Sequence, residues 1–410
     1  MTCLYSIALH IFYVAMLLVA PFNTKARLWV TGRTGWKTKL RNWRKTDAPV
    51  LWIHAASLGE FEQGRPLMEA FRLYYPGYNI LLTFYSPSGY EIRKNYPGAD
   101  FTCYLPLDTR HNARHFIDLV NPRAVFFIKY EFWYYYLKRL HDLNHSVYLV
   151  SGIFRPNQVF FRWYGKWFRN KLRFIDHFFV QDEASAGLLA SVDIHGVTVS
   201  GDTRFDRVTG IAAAAKKIEL AEAFSAGHYC MVAGSTWPQD EEILVRFIQE
   251  QGEDMKFIIA PHETGDGHIR KLSGMLKGKC LLYSAATPEN VSGSNVLIID
   301  SVGILSSLYP YGNMAYIGGG FGKGIHNILE AAVYGIPVIF GPNYRKFREA
   351  VDLIRSGGGF TITGYPALRN LIISLRDNPS AYKQAAEEAA GYVKRHTGAT
   401  RVILEKLFAP

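Results

Sequence analysis

Two carboxylates stand where chemistry is plausible. Glu60 closes Ser57-Leu58-Gly59-Glu60, directly after the apolar run Val50–Ala55. A helix start at that point keeps a carboxylate ionised and able to accept a proton from a hydroxyl group. Ser57-x-x-Glu60 also has the form of a capping box, in which the two side chains satisfy each other's backbone N–H groups before a helix over Phe61–Tyr74. Both readings stand. Glu131 lies between Tyr130 and Phe132-Trp133-Tyr134-Tyr135-Tyr136. An unpaired carboxylate is costly among rings, so Glu131 needs a partner or a task. His54, at the end of its apolar run, reads as a hydrogen-bonded structural histidine.

The second concentration of unusual residues is Gly318-Gly319-Gly320-Phe321-Gly322-Lys323-Gly324-Ile325-His326-Asn327-Ile328-Leu329-Glu330. Glycines let the backbone approach a ligand, and free N–H groups at a helix start attract phosphate. Lys323 is followed by Gly324 rather than Ser or Thr, so this is not a Walker A loop, and the spacing does not give the dinucleotide fingerprint. The pattern predicts a helix running through Asn327 and Glu330 into Ala331-Ala332-Val333-Tyr334, with Asn327 and Glu330 on one face, where a carboxylate can accept both hydroxyls of a ribose. The plainer alternative is a tight turn with Glu330 solvated.

No D-x-D triplet occurs, which removes the usual carboxylate pair for a divalent metal on a nucleotide diphosphate and favours metal-free, cofactor-free chemistry. The leaving phosphate must then meet protein groups. Arg204, Ser235, Thr236 and the start of the His326 helix are the candidates, although Arg204 in Gly201-Asp202-Thr203-Arg204-Phe205-Asp206 also reads as a paired surface residue.

These groups need elements to hold them. Short apolar runs at Val50–Ala55, Asn79–Phe84, Phe101–Leu105, Ala124–Ile128, Ser146–Val150 and His177–Val180 alternate with amphipathic stretches. The rhythm resumes with Tyr229–Ala233, Lys256–Ala260, Val296–Asp300, Met314–Ile317 and Pro337–Phe340, and predicts two parallel-sheet lobes. The Ala- and Lys-rich Thr209–His228 lacks a strand pattern and is the expected connection. Expected boundaries are an anchor at 1–22, a first lobe at 23–208, a second at 209–384, and a terminal helix at 385–410 returning to the first. In such sheets ligands bind beyond the carboxyl ends of the strands, where the residues singled out above fall.

The chain has 410 residues and a formal net charge of +11. Its four cysteines form no C-x-x-C pair, so neither a disulfide framework nor a zinc cluster is suggested. Cys3 to Phe22 is apolar over about the length that crosses a bilayer, and eight Lys or Arg follow between Asn23 and Val50 against the single acid Asp47. A membrane anchor with the rest of the chain on the cytoplasmic side is expected; a signal peptide and a buried core helix compete with it. From Gly152 to Ile175 six basic residues, among them Arg155, Arg162, Lys166 and Arg169, interleave with aromatics and no acid. That pattern fits single-stranded nucleic acid or anionic lipid headgroups, and the neighbouring anchor favours membrane lipids over nucleic acid.

Taken together, His54-Ala55-Ala56-Ser57-Leu58-Gly59-Glu60, Lys129-Tyr130-Glu131-Phe132-Trp133, Gly201–Asp206, Gly234-Ser235-Thr236-Trp237 and the Gly318–Glu330 run resemble the Kdo (3-deoxy-D-manno-octulosonic acid) transferase family over nearly the whole chain. The resemblance implies a GT-B glycosyltransferase of class α/β, with two Rossmann-like lobes, a cleft between them and an N-terminal anchor helix. It implies CMP-Kdo as donor, a lipid A precursor as acceptor, inversion at the anomeric carbon and a place at the cytoplasmic face of the inner membrane. By position it puts the general base on Glu60, a second functional carboxylate on Glu131, and the CMP site on Arg204, Ser235, Thr236, Pro261, His262, Ser301, Gly303, Asn327 and Glu330. The chain departs from the family where Lys129-Tyr130 precede Glu131, where His262 follows Pro261, and at Ser301-Val302-Gly303. The rivals are another membrane-associated nucleotide-sugar enzyme, such as a transferase of undecaprenyl-linked intermediates or an epimerase, and more distantly a membrane-tethered nucleic-acid binder.

Overall fold

The computed structural model describes residues 1–44, 47–251 and 255–408. The chain forms two compact units, one of Met1–Arg207 with Gly398–Pro410, the other of Val208–Thr397. The Pro379–His396 helix thus belongs to the second unit, and the return to the first begins at Gly398 rather than at 385.

In the first unit, β1 (Val50–Ala55), β2 (Asn79–Phe84), β3 (Phe101–Tyr104), β4 (Pro122–Ile128), β5 (Ser146–Gly152), β6 (His177–Val180) and β7 (Val197–Val199) form one sheet in the order β3-β2-β1-β4-β5-β6-β7. All its pairings are parallel. Helices cover both faces, so β1 is buried at every position, and this is why it reads as an unbroken apolar run. One face carries Trp52, Phe116, Phe127 and Tyr136; the other carries Ile53, Phe61, Phe71 and Phe126.

The second unit repeats the architecture with β8 (Tyr229–Thr236), β9 (Met255–Pro261), β10 (Leu281–Leu282), β11 (Val296–Ile298), β12 (Met314–Ile317), β13 (Val338–Phe340) and β14 (Gly359–Thr361), in the order β10-β11-β9-β8-β12-β13-β14. The eleven apolar runs all become strands. The short β7, β10 and β14 escape sequence reading because two or three residues at a sheet edge carry no periodicity. The Thr209–His228 stretch is helical, over Thr203–Ala213 and Glu219–Ser225, and the units part between Arg207 and Val208.

Before β1 lie α1 (Thr2–Val19), α2 (Thr24–Thr31) and α3 (Trp36–Trp43). Arg33 fastens the turn after α2. Its buried guanidinium donates to the carbonyls of Trp29, Tyr85 and Leu105 and lies over the rings of Trp29, Tyr85 and Tyr104. α1 is fastened through Asp108, a fully buried carboxylate that accepts from Tyr5 Oη (2.6 Å) and from the N–H groups of Tyr135 and Tyr136 at the start of the Tyr134–Asp142 helix.

Burial raises the Asp108 carboxyl from its ordinary 3.8 to about 6, against the opposing effect of its three donors. The folded pKa lies above the unfolded one, so the stability from protonating Asp108 is fully present below pH 4 and lost as pH rises through 6. Asp108→Asn holds the group neutral. Its unfolding free energy relative to wild type is expected to improve by about 3 kcal/mol between pH 4 and pH 7, two units at 1.36 kcal/mol each, as read from urea unfolding across that range.

Candidate active site

Strand order reverses between β1 and β4, and Glu60 and Glu131 follow the carboxyl ends of those two strands. Such a reversal lets neighbouring loops diverge and leaves room for a ligand. Glu60 sits in the first turn of α4 (Leu58–Tyr74), half-buried. Ser57 is the N-cap residue, but its side chain makes no capping bond to backbone; its hydroxyl donates to Glu60 Oε2. The capping box is therefore not formed. Ser57 orients the carboxylate, and Oε1 has no partner among the described residues.

Glu131 is reached through a left-handed backbone at Lys129 (φ 67°), which swings the chain off β4. It has the partners its aromatic setting demanded: His54 Nε2 at 3.1 Å and Trp133 Nε1 at 2.6 Å, both on Oε2. His54 is fully buried and meets Thr83 Oγ1 at 2.8 Å through Nδ1, while Trp52 Nε1 donates to the same hydroxyl. One proton assignment satisfies the three side-chain contacts: Trp52 donates to Thr83, Thr83 to His54 Nδ1 in preference to the longer contact with Ile53 O (3.4 Å), and His54 Nε2–H to Glu131. His54 is thus both a structural histidine and the group that orients Glu131. An aromatic path also joins Glu131 to α1, from Phe12 to Trp29 (5.4 Å), Trp29 to Tyr85 (5.7 Å) and Tyr85 to Trp133 (4.6 Å).

Arg204 belongs to this first unit, not to the second lobe where the donor site was expected. Its side chain pairs with buried Asp202 at 2.8 Å, as does its own N–H at 2.9 Å, and Gln63 Nε2 completes the set at 3.1 Å. Burial pushes the Asp202 carboxyl up, but Arg204 and the other donors outweigh it and hold the group below its ordinary value.

In the second unit strand order reverses between β8 and β12, and the glycine run follows β12. The main chain there is held by Asp240, a residue the sequence reading passed over. Its fully buried carboxylate accepts from Tyr316 Oη (2.7 Å), Gly319 N (2.9 Å) and Trp237 N (3.0 Å). Its place three residues past Trp237, in the first turn of the Pro238–Gln251 helix, was the available signal. Asn343 clamps the run from the next strand's loop, donating to Gly322 O at 2.8 Å while its N–H reaches Gly320 O. A Cβ at Gly320 would stand 2.5 Å from Gly341 N.

The expected helix through Asn327 does not form. Only Leu329–Ala332 is helical, with His326 and Asn327 in the preceding loop. The left-handed Gly324 (φ 137°) and the clamps on the glycines hold the chain extended there. Asn327 and Glu330 nevertheless meet, Nδ2 to Oε1 at 3.0 Å, and Asn327 Oδ1 accepts from Leu329 N.

Three rings lie together at the ends of β8, β9 and β12: Trp237 stacks on His262 (4.5 Å), and His262 is 4.6 Å from His326. Trp237 Nε1 donates to His326 Nε2 at 3.0 Å. Burial, and after it His262, lowers the His326 imidazole, which keeps Nε2 free to accept. Pro261 ends β9, and Ser235 bulges out in a left-handed conformation (φ 54°). Thr236 turns inward, its buried hydroxyl committed to Glu241 at 3.0 Å, which removes it from the phosphate-binding candidates. Ser301 and Gly303 lie exposed on the loop after β11.

Of the expected basic surface, Arg155, Arg162 and Lys166 are exposed. Arg169 is spent on the carbonyls of Phe160 and Arg162. Among the described residues no three His, Cys, Asp or Glu side chains form a metal-binding group.

Two parallel lobes of this kind, with loops gathered at each reversal of strand order, define a GT-B fold. The fold is similar to that of the UDP-GlcNAc 2-epimerase from Neisseria meningitidis bound to UDP-GlcNAc, with a TM-score of 0.61 over 88% of this chain and 100% of that one at 16% identity, a likeness of fold alone. Residues 30–207 match the family model described as 3-Deoxy-D-manno-octulosonic-acid transferase (kdotransferase). The chain is 25% identical over 360 residues to the 3-deoxy-D-manno-octulosonic acid transferase of Chlamydophila psittaci (strain ATCC VR-125 / 6BC), covering 85% of this chain and 80% of that protein. It is 27% identical over 321 residues to that of Aquifex aeolicus (strain VF5), covering 76% and 82%. The chain is thus similar to the Kdo transferases over most of its length, and it is a glycosyltransferase.

Gly320→Ala is expected to lower the melting temperature of the second unit by several degrees, because the collision is with backbone. Gly322→Ala, whose Cβ would meet nothing nearer than 3.7 Å, serves as the control and shifts it little. Scanning calorimetry of the two variants checks this.

Proposed function

We propose that this protein moves Kdo from CMP-Kdo to a lipid A precursor, with inversion at the anomeric carbon and Glu60 as general base. The observation that carries the assignment is Glu60 itself: a half-exposed carboxylate at a helix start, turned by Ser57 so that one oxygen stays open, beside the strand reversal of the first lobe. Glu60 takes the proton of an acceptor glucosamine hydroxyl as that oxygen bonds to the anomeric carbon. The bond from that carbon to the CMP phosphate breaks, and CMP departs with the electron pair. Because no acid protonates CMP on departure, its phosphate charge must be met by dipoles and N–H groups already in place.

The second lobe supplies the donor site in this reading. Ser235, Pro261, His262, Ser301, Gly303, Asn327 and Glu330 are its proposed contacts, with the glycine run admitting the nucleotide's phosphate to the backbone and Glu330 accepting from the ribose. Arg204 is left out, since its guanidinium is engaged with Asp202 in the first lobe. Glu131 is proposed to orient the acceptor through Oε1, the oxygen that His54 and Trp133 leave open. The apolar α1 and the basic residues after it support a place at the anionic cytoplasmic leaflet of the inner membrane, where a lipid acceptor is met.

Glu60→Gln is expected to lower kcat by 10³-fold or more, toward the upper end of what general-base catalysis supplies, while CMP affinity stays within about twofold. The assay is transfer by detergent-solubilised protein to a tetraacylated lipid A precursor, read as acceptor mass, alongside calorimetric titration of CMP. Near-normal transfer by the variant would remove Glu60 from the mechanism. Failure of the wild type with Kdo, but turnover of another nucleotide sugar, would transfer the site to a different donor.

A further inference from the structure

α1 has two faces. Thr2, Tyr5, Ser6, Leu9 and Met16, at helical spacing, meet the first lobe. Tyr5 Oη donates to Asp108, Ser6 Oγ meets Tyr135 Oη at 2.5 Å, and Trp167 Nε1 donates to Thr2 Oγ1 at 3.4 Å. The Lys171 ammonium lies over Tyr5 and Trp167, and Leu9 is buried with Trp29 and Leu107, with Met16 packed alongside. Both ends of the helix are therefore held against one folded body. Leu4, Ile7, Ile11, Val14 and Leu18 fall on the opposite face at spacings of three and four, each more than half exposed.

A helix that crossed the bilayer would have to give up every one of these contacts or draw the lobe into hydrocarbon. Leaving would strand Asp108 without its Tyr5 donor and expose Trp29 and Leu107, whereas a helix lying in the membrane plane keeps these contacts and still covers its exposed face with lipid. Yet five apolar side chains in a row stay more than half exposed, the mark of a surface that meets lipid.

Two cavities run beside the N-terminal half of α1. One is lined by Thr2, Tyr134 and Tyr135 together with Arg110, Arg114, Lys138, Arg139 and Asp142, and the next, at Ser6, Leu9 and His10, shares Arg110 and Tyr135 with it. Asp118 and Asp142 pair with Arg114, Arg139 and Lys138. Four cations against two carboxylates leave an excess of two positive charges. Lys37 Nζ adds to this positive edge, 2.9 Å from His111 Nε2 in the second cavity. An apolar stripe rimmed by uncompensated cations is complementary to a bilayer with anionic headgroups.

We propose that α1 does not span the membrane but lies in its plane as part of the first lobe, and that the Arg110–Arg114–Lys138–Arg139 groove beside it binds the phosphates of anionic phospholipids. Chain and membrane then meet along the length of α1. The proposal rests on the membrane-bound reading of the enzyme but not on its donor or acceptor.

The test uses the full chain and lipid alone, so it stands or falls apart from Kdo transfer. In a Cys3→Ser, Cys280→Ser background, nitroxide labels at Leu4→Cys, Ile11→Cys and Leu18→Cys report depth in phosphatidylcholine vesicles containing phosphatidylglycerol. The three sites span about 21 Å of helix at 1.5 Å per residue. Equal depth at all three is expected; a site at Ile11 markedly deeper than the other two would show a spanning helix and overturn the inference. In flotation, Arg110→Gln with Lys138→Gln should lose roughly tenfold or more of the affinity gained from phosphatidylglycerol while binding to pure phosphatidylcholine is unchanged. Lys383→Gln, in the exposed surface of the second unit, serves as control. Unchanged phosphatidylglycerol dependence in a double variant that melts like wild type would overturn the groove assignment.

Discussion

Parallel strand pairing is the constraint from which the rest of this molecule follows. When every neighbouring strand runs the same way, all carboxyl ends in a lobe lie along one edge, and each strand must return through a crossover on one face or the other. Where the winding changes direction, at β1/β4 and at β8/β12, consecutive crossovers leave on opposite faces and their loops part. Glu60 and Glu131 issue from one such place. Ser235 and the glycine run issue from the other.

The carboxylates divide into those that hold the fold and those left open. Asp108, Asp202 and Asp240 are buried and surrounded by donors, each tying a loop or helix start to a strand end. Such groups are stable because their hydrogen bonds replace the water they have lost. Glu60 and Glu131 have the opposite character: one oxygen of each is fixed by a neighbour and the other has no partner among the described residues. Fixing one oxygen gives direction without exhausting the group's capacity to accept, which is what a base or an acceptor-positioning carboxylate requires.

The first lobe also packs its apolar N-terminal helix against the residues that lead to one of its open carboxylates. The aromatic path from Phe12 through Trp29, Tyr85 and Trp133 ends on Glu131, so packing along α1 and orientation of Glu131 belong to one continuous set of contacts. Arg33 stabilises the middle of that path with a cation rather than a carboxylate pair.

How much of this was legible beforehand differs by kind of interaction. The two-lobed parallel class, the long strands and the positions of Glu60, Glu131 and the glycine run at strand ends were readable, because burial on both faces forces continuous apolar runs and local turn chemistry marks where they end. Three-residue edge strands left no periodic trace. Pairings across long sequence separations were hidden as well: His54 with Glu131, Asp240 with Gly319, Tyr5 with Asp108. The spacing of Ser57 and Glu60 pointed to a capping box, and that of Asn327 and Glu330 to a shared helical face; the structure instead turned Ser57 onto the Glu60 carboxylate and began the helix only at Leu329, because the clamps on Gly319, Gly320 and Gly322 hold the preceding loop. Sequence alone determined what is local and periodic, since a strand's apolar run and the turn residues that end it lie in one contiguous stretch. Only the tertiary structure decided which oxygen of a carboxylate is engaged and which is free, since that depends on partners brought from distant strands.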